Sequence, residues 1–453
     1  MRLQRAGPAK GDALQNTLLT IAVALILALV AALAAPFVVD WNDYRGVVER
    51  EASRMTGLPV TVAGKIDVRL LPSPQLTLRD VTVSGVRARV ISIELALGSL
   101  MRGEWRATDL HVVAPQLETG IDQAGKLRWP GAAASFDPNA LSIDRLHVEE
   151  GRLVLTDAGS GARRVLDGIW FNGDARSLAG PVRGEGAATL DGEIYPYRLS
   201  VSRVSDAGSA RVRLNVDPQN RPLTLEADGE VSLAQGTPRF EGQASFSRPV
   251  QLVGNRAAGR DKTAVTPPWR ASAKVKVTPA SVLLEQVEFQ YGADDLGAKL
   301  TGTADVKFGA EPRIEGVLSA RQLDLDRALA NADGTRLPAA AALRTLAQAA
   351  GGVLPFPFQL GIGIDQVTLG GGTVLAVRGD VASSNDGWTL SDFEFRAPGS
   401  SRVQLAGRLT TTPASRAGTP PGVAFKGAAG VESSDLRALV GWLEGRSDLT
   451  PGP

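Results

Sequence analysis

Alternation of apolar and polar residues dominates the chain from Val60 onward. Apolar side chains recur at every second position from Val60 to Leu70 and, after Pro72 and Pro74, again from Leu76 to Val83. Because successive side chains of a strand point to opposite faces, this period of two predicts strands with one apolar face. The phase slips near Asp80, which predicts a bulge at that position.

Later segments repeat the pattern and are separated by turn signals rather than by helices. A hairpin is predicted where Leu146 and Val148 lead into a turn at 149–151 and Leu153 and Leu155 return. Further predicted strands are Val212–Val216, Leu223–Ala227, Ala273–Val277, Val282–Phe289, Lys299–Phe308, Ile314–Leu318 and Leu360–Ile364. Strands joined by turns favour an antiparallel meander over a βαβ fold. The predicted fold class is therefore mainly β: an elongated, groove-like antiparallel sheet with a few short helices.

Three helices are predicted from apolar periodicity and from residues that start and stop helices. They are 43–55, capped by Asn42 and ended by Gly57; 339–350, opened by Pro338 and ended by Gly351; and 435–444, capped by Ser433 or Ser434 and ended by Gly445.

A separate, uncharged apolar run from Thr17 to Val39 is long enough to cross a bilayer as one helix of roughly 20 residues. Basic residues outnumber acidic ones in segment 1–16 before it, so the positive-inside rule places that segment in the cytoplasm. The rest of the chain is then expected in the periplasm, with Trp41 and Tyr44 at the membrane interface. The alternative is a cleaved signal peptide, for which Ala32–Ala34 resembles a cleavage site.

Composition narrows the possible functions. Lys and Arg total 49 and Asp and Glu 48, so the net charge of +1 gives no field that would favour a nucleic acid. Cysteine is absent, which excludes disulfides, thiol chemistry and Cys-based metal sites.

A polar stretch with paired prolines at Pro267 and Pro268 predicts a domain boundary. The predicted organisation is a cytoplasmic segment 1–16, a transmembrane helix 17–39, a β-rich region 40–254, a linker 255–268 and a second β-rich region 269–453. Within the second region, segments Ser281–Phe308 and Trp388–Leu409 have the same order of features: a strand of the form L-x-x-x-x-F, a charged or polar turn, and a strand that reaches a glycine. This similarity indicates repetition of a sheet unit.

Signals for catalysis are weak. The two histidines, His111 and His147, lie in alternating segments without a metal-ligand partner at a short spacing, so both are interpreted as structural. Asp324 and Asp326 are better explained by a helix cap than by paired catalytic carboxylates. The segment Gly370–Thr373 lacks the lysine of a phosphate loop, so we interpret it as a hairpin turn. We therefore expect no enzyme activity, no cofactor and no metal; a hydrolase has no residues in its favour.

Three motifs lie close together after the apolar run: the short helix ending in Met55–Val60 (MTGLPV), Gly64–Ile66 (GKI) and Leu70–Val81 (LLPSPQLTLRDV). These motifs resemble the AsmA family of Gram-negative envelope proteins. Segments Gly120–Trp129 and Leu318–Leu329 also resemble parts of that family, although Arg128 stands where the family has Asn. The resemblance implies an inner-membrane protein related to β-groove lipid carriers, in a family also associated with outer-membrane protein assembly.

An apolar sheet face must either be covered or serve as a binding surface, because large exposed apolar patches are uncommon. Periodicity alone leaves an open lipid groove and a packed β-sandwich equally open. If the face is a groove, its candidate lipid-facing residues are Val62, Ile66, Val68, Leu76 and Leu78, and a charge at Ile66 should be tolerated. With the resemblance, the expected function is binding or conducting phospholipid between the membranes, with the membrane and phospholipid as partners. The alternative is a non-transporting scaffold that acts with outer-membrane assembly proteins.

Overall fold

A computed structural model gives the fold as two compact units, one formed by 1–119, 129–154 and 165–192 and the other by 120–128, 155–164 and 193–453. The structure describes residues 20–24, 40–70, 72–100, 102, 106–123, 126–128, 142–159, 161–175, 180–218, 222–234, 237–249, 251–253, 264–266, 268–292, 298–309, 311–330, 335–350, 357–384, 387–412 and 422–446.

Strands make up most of the described chain, which confirms the mainly β prediction. They are β1 (Val60–Val62), β2 (Ile66–Arg69), β3 (Gln75–Val83), β4 (Val86–Leu95), β5 (Arg106–Val113), β6 (Gln116–Ile121), β7 (Leu127–Arg128), β8 (Ser142–Asp157), β9 (Arg163–Ala175), β10 (Val182–Leu190), β11 (Glu193–Val201), β12 (Ser209–Val216), β13 (Thr224–Ala234), β14 (Thr237–Arg248), β15 (Gln251–Val253), β16 (Ala264–Thr266), β17 (Trp269–Val277), β18 (Ser281–Tyr291), β19 (Ala298–Lys307), β20 (Arg313–Asp324), β21 (Phe358–Leu369), β22 (Gly372–Ser384), β23 (Gly387–Ala397), β24 (Ser401–Thr412) and β25 (Gly422–Glu432).

The helices are short. A 3₁₀ turn, Trp41–Tyr44, leads into α1 (Arg45–Thr56), and the others are α2 (Leu97–Leu100), α3 (Leu325–Ala328), α4 (Ala339–Ala350) and α5 (Leu436–Glu444). The three predicted helices correspond to α1, α4 and α5, and Gly57 and Gly445 end α1 and α5 with φ of 67° and 68°. The predicted caps were wrong: Asp40 caps the 3₁₀ turn before α1, and Asp435 caps α5 by accepting from the Ala438 N–H.

In the first unit, β1 and β2 both pair with β3. The single strand predicted over 60–70 was wrong because it breaks at Gly64, where a Cβ would lie 2.7 Å from the Arg79 carbonyl oxygen. The bulge predicted near Asp80 is confirmed: Asp80 has a φ of 51°, and it is exposed with Arg79 between buried Leu78 and Val81.

Helix α1 covers the apolar face of β1–β3 and protects the edge of this sheet. Its Val48 and Ala52 side chains pack on the cluster formed by Val60, Val62, Ile66, Leu78 and Val81. The Glu49 carboxylate and the Ser53 hydroxyl accept hydrogen bonds from strand N–H groups, at 2.7 Å from Val62 N and 2.9 Å from Val60 N. Polar groups of the helix thus satisfy backbone donors that a sheet edge would otherwise leave unpaired.

Two parallel pairings make the sheets mixed, so the fully antiparallel prediction was wrong. In the first unit β5 pairs parallel with β8, and in the second β20 pairs parallel with β21 across a connection that contains α3 and α4. The hairpin predicted at 149–151 was also wrong, because β8 runs through these residues with a φ of 54° at Glu150.

The second unit is otherwise an antiparallel ladder. Its strands pair in the order β11–β12–β13–β14–β17–β18–β19–β20–β21–β22–β23–β24–β25. The predicted linker 255–268 lies within this unit, between the paired strands β14 and β17; its residues 255–263 and 267 lie outside the described residues.

The repeated segments form two hairpins, β18–β19 and β23–β24, with a bulge at matching positions. Gln286 and Asp392 have φ of 52° and 49°, and each lies in a local series Leu-x-x-apolar-x-Phe. The register shifts between Leu284 and Val287 and between Leu390 and Phe393. A bulge adds one residue to its strand, so both apolar residues of each pair stay on one face.

The ends of β20–β24 are closed by α4 and α5 over a buried cluster that includes Ala339, Ala342, Leu439 and Trp442. The Trp442 Nε1–H donates to the Leu369 carbonyl at 2.7 Å. At this end the predicted roles are confirmed: Asp324 caps α3, and Gly370 and Gly371 form the turn between β21 and β22.

The predicted transmembrane run 17–39 lies outside the described residues except for 20–24, which are helical and exposed. Among the described residues, none of the helices has both the length and the apolar character needed to span a bilayer.

Ile66 provides a test of the packing beneath α1, since only 1% of it is exposed. The expectation that a charge is tolerated there does not fit this burial. Ile66→Asp should lower the free energy of unfolding of the first unit by about 3 kcal/mol or more, because an unpaired buried carboxylate is expensive. Thr61→Asp, on the exposed side of β1, should cost less than about 1 kcal/mol. Denaturant unfolding of both variants checks this; equal stability would contradict the packing.

Candidate functional site

One face of the second unit carries an unbroken row of apolar residues across thirteen strands. Residues directly opposite each other on paired strands lie on the same face. Following the register from strand to strand connects Val201, Val212, Gly229, Gly242, Val275, Leu284, Ala304, Gly316, Leu360, Val381, Leu390, Gly407 and Gly427. No polar side chain interrupts this row, which we call the central row of the apolar face.

Rows on either side of it have the same character. On one side lie Ala210, Val231, Phe240, Val277, Val282, Val306, Ile314 and Phe358. On the other lie Tyr197, Val216, Leu225, Phe246, Ala271, Phe289 and Leu300. Trp269 joins the second group, with its ring centroid 5.1 Å from that of Phe246. Burial raises the pKa of the Tyr197 phenol, as expected on such a face.

Much of this face remains accessible. Leu225 is 36% and Phe246 39% exposed, although both point to the apolar side. Among the described residues, none of the three buried clusters includes a side chain of β11–β18. Near β19–β24 the face meets the cluster under α4 and α5, against which Leu300 and Ile362 are partly buried. The apolar face is therefore largely accessible over β11–β14, β17 and β18, where Val275 of the central row is buried, and it is covered at one end.

Phenylalanine rings cover paired glycines on apolar strand faces. A Cβ added to Gly242 would lie 2.5 Å from Gly229 Cα, and one added to Gly229 would lie 2.8 Å from the Phe240 ring. Gly407 and Gly427 form a similar pair beside Phe425, as Gly173 and Gly184 do beside Phe171 in the first unit. The ring two residues before a glycine shields backbone that has no side chain of its own. The sequence signal is Phe-x-Gly, which the alternation analysis did not identify.

The opposite face of the second unit is polar. One of its rows connects Asn215, Glu226, Ser245, Ser272, Glu288, Thr301 and Ser319. Asp228 lies 2.9 Å from the Arg211 guanidinium and 2.7 Å from that of Arg213. Hydrogen bonds from these arginines lower the pKa of Asp228 to about 2. A depression of about 560 Å³ on this face is lined by Arg213, Asp228 and Lys274 among others.

The five predicted lipid-facing residues lie in the first unit, and the structure places them beneath or beside α1. Val62, Ile66 and Leu78 are only 2%, 1% and 3% exposed, and Val68 and Leu76 border the same cluster. Their contact with lipid stays a prediction. Among the strands that carry the accessible apolar side chains, sequence analysis predicted β12, β13, β17 and β18 but missed β11 and β14. It did not connect any of them into one face.

Residues considered for chemistry have structural partners. His111 and His147 are register partners across β5 and β8, and their Nε2 atoms lie 3.2 and 3.3 Å from carboxylate oxygens of Glu149 and Asp109. The sequence could not show this pairing, because the parallel register brings together residues far apart in the chain. Among the described residues, no group of three metal-ligating side chains comes together. Asp326 accepts from the N–H groups of Gly370 and Gly371, at 2.5 and 2.7 Å, and so fixes a turn.

Comparison with known proteins bears on the N-terminal half. No curated protein and no solved structure matches the chain. The sequence model of the AsmA family matches residues 13–219, a span that includes α1, the motifs around Gly64 and Asp80, and the strands up to β12. Residues 13–219 of this chain therefore match the AsmA family, as the N-terminal motifs predict.

Proposed function

We propose that this protein binds phospholipid on the apolar face of its second unit and carries it between the inner and outer membranes. The observation that carries the proposal is the central row, which runs across thirteen strands without a polar side chain. A face made only to pack against a second layer would be covered, but Leu225 and Phe246 remain accessible. The match of residues 13–219 to the AsmA family supports a role in the envelope.

The free energy of transferring an acyl chain onto this face favours movement of lipid along it over tight binding at one place. Removing one methylene group from water gains about 0.8 kcal/mol, so an acyl chain exposed to water would bind the face strongly. A chain that comes from a bilayer is already out of water, and its transfer onto the sheet changes the free energy much less. A surface of uniform apolar rows also offers many nearly equivalent positions. Lipid can then advance from one strand to the next without a deep energy minimum.

We propose the same topology that the sequence predicts, with a membrane anchor at 17–39 and both units in the periplasm. The chain acts by binding, without enzyme activity. The alternative is a scaffold for outer-membrane protein assembly, in which the apolar face contacts protein rather than lipid.

Topology is tested with reporter fusions. Because the basic residues precede the apolar run, a reporter fused after Val83 should be active only when it folds in the periplasm. Alkaline phosphatase fused at this position reports a periplasmic location, and green fluorescent protein reports a cytoplasmic one. Phosphatase activity without fluorescence is expected, and the reverse result would contradict the proposed location.

Lipid contact is tested by photo-crosslinking from neighbouring residues on opposite faces. A photoreactive amino acid at Phe246, on the apolar face, should capture phospholipid when the full-length protein is irradiated in its native membranes. The same residue at Ser245, on the polar face of the same strand, should not. Mass spectrometry of the adducts identifies what is captured. Equal lipid labelling at both positions would contradict the proposal, and protein adducts alone at Phe246 would favour the scaffold.

A charge on the open face should separate binding from folding. Leu225→Asp places a carboxylate at a position where the native side chain is already 36% exposed, so we expect the free energy of unfolding to fall by at most about 1 kcal/mol. Bound lipid should fall severalfold, since the charge must lose water beneath an acyl chain. Glu226→Gln, the adjacent change on the polar face, should leave bound lipid unchanged. Circular dichroism and quantified co-purified lipid check both variants; unfolding of Leu225→Asp would indicate a packed sandwich.

A further inference from the structure

The last strand of the second unit, β25, has an open edge. It is eleven residues long and pairs with β24 along its whole length. All residues from 424 to 432 are exposed. Among the described residues, no strand pairs with its other side, so a row of backbone N–H and C=O groups faces outward.

Among the described residues, β25 itself lacks the sequence features that usually protect an edge strand against pairing. Natural sheets shield long edges with proline, several charges, bulges or a covering element. β25 contains no proline, and its charged residues are Lys426 and Glu432. At β1, by contrast, side chains of α1 accept the strand N–H groups. No such acceptor is found for β25 in the described part of the chain.

One basic residue of β25 faces another basic residue on the neighbouring strand. Lys426 lies directly opposite Arg408 of β24. Like charges at opposite positions destabilise a strand pair. Neither side chain has a carboxylate partner among the described residues. A carboxylate approaching from the open side would relieve this repulsion.

We propose that β25 pairs antiparallel with β25 of a second copy of this chain, about a twofold axis at Ala429. In this register Lys426 lies opposite Glu432 of the partner subunit, and Glu432 lies opposite the partner's Lys426. Both ion pairs form on the polar face, where these two side chains lie. On the apolar face, Gly427 faces the partner's Val431. The segment is thus complementary to itself, which is the requirement for a twofold interface.

The dimer extends the apolar face across both copies. Phe425 and Val431, which are 40% and 51% exposed at the edge, then lie inside a continuous sheet rather than at its border. Because both apolar side chains are exposed at this edge, a strand with the same alternation of apolar and polar residues is the favoured partner. This inference does not depend on lipid binding, and its test involves no lipid.

The absence of cysteine allows a direct crosslinking test on the full-length chain. In Ala429→Cys the two introduced thiols meet at the twofold axis, so a short thiol crosslinker should give a covalent dimer in high yield. In the control Ala424→Cys the thiols lie about 33 Å apart along the strands and should not crosslink. Electrophoresis measures the yields. Equal yields at both positions, or no dimer at Ala429, would overturn the proposal.

Charge reversal separates pairing from folding. Lys426→Glu faces Arg408 favourably within one chain but meets Glu432 of the partner subunit, so the dimer dissociation constant should rise roughly tenfold while the fold is kept. Adding Glu432→Lys should restore dimerisation. Light scattering and circular dichroism measure assembly and folding. An unchanged dissociation constant in Lys426→Glu, or no recovery in the double variant, would also overturn the proposal.

Discussion

Strand register is the constraint on which this structure depends. Side chains alternate with a period of two, so a slip of one residue would move every apolar side chain of a strand to the polar face. The central row stays apolar through thirteen strands only because each neighbouring register agrees. The bulges at Gln286 and Asp392 maintain this agreement, since each restores the phase where two apolar residues are separated by an odd number of positions. What looks locally like an irregularity therefore keeps the face continuous.

Much of the fold follows from the sequence because alternation and helix-stop residues are local signals. They predict strands such as β12, β17 and β18, the helix α4, the bulge at Asp80 and the turn at Gly370. Parallel pairing of β20 with β21 was missed because it depends on how a crossover packs, which turn residues do not encode. The continuous β8 was missed because Glu149–Gly151 has the composition of a turn. There, pairing along the strand prevails over local preference.

The sequence predicts apolar sheet faces, but it does not predict which of them is covered. Alternation around Val62 and Ile66 indicates an apolar face, yet it cannot tell whether a helix covers that face. Cover is provided by α1, whose Val48 and Ala52 pack on the cluster. The same pattern in β13 and β14 has no such cover, so Leu225 and Phe246 remain accessible. Equal patterns thus give a core in one unit and a surface in the other, and the difference lies in the neighbouring element.

The open face also has a consequence for how the second unit loses its structure. Over β11–β18 there is no opposing layer among the described residues, so each strand is held by its two neighbours. Such a sheet resembles a one-dimensional array, in which stability is a sum of nearest-neighbour terms. Damage to one strand then weakens its adjacent interfaces rather than a shared core. Unfolding can fray inward from an edge, and amide protection should fall gradually along the sheet toward that edge.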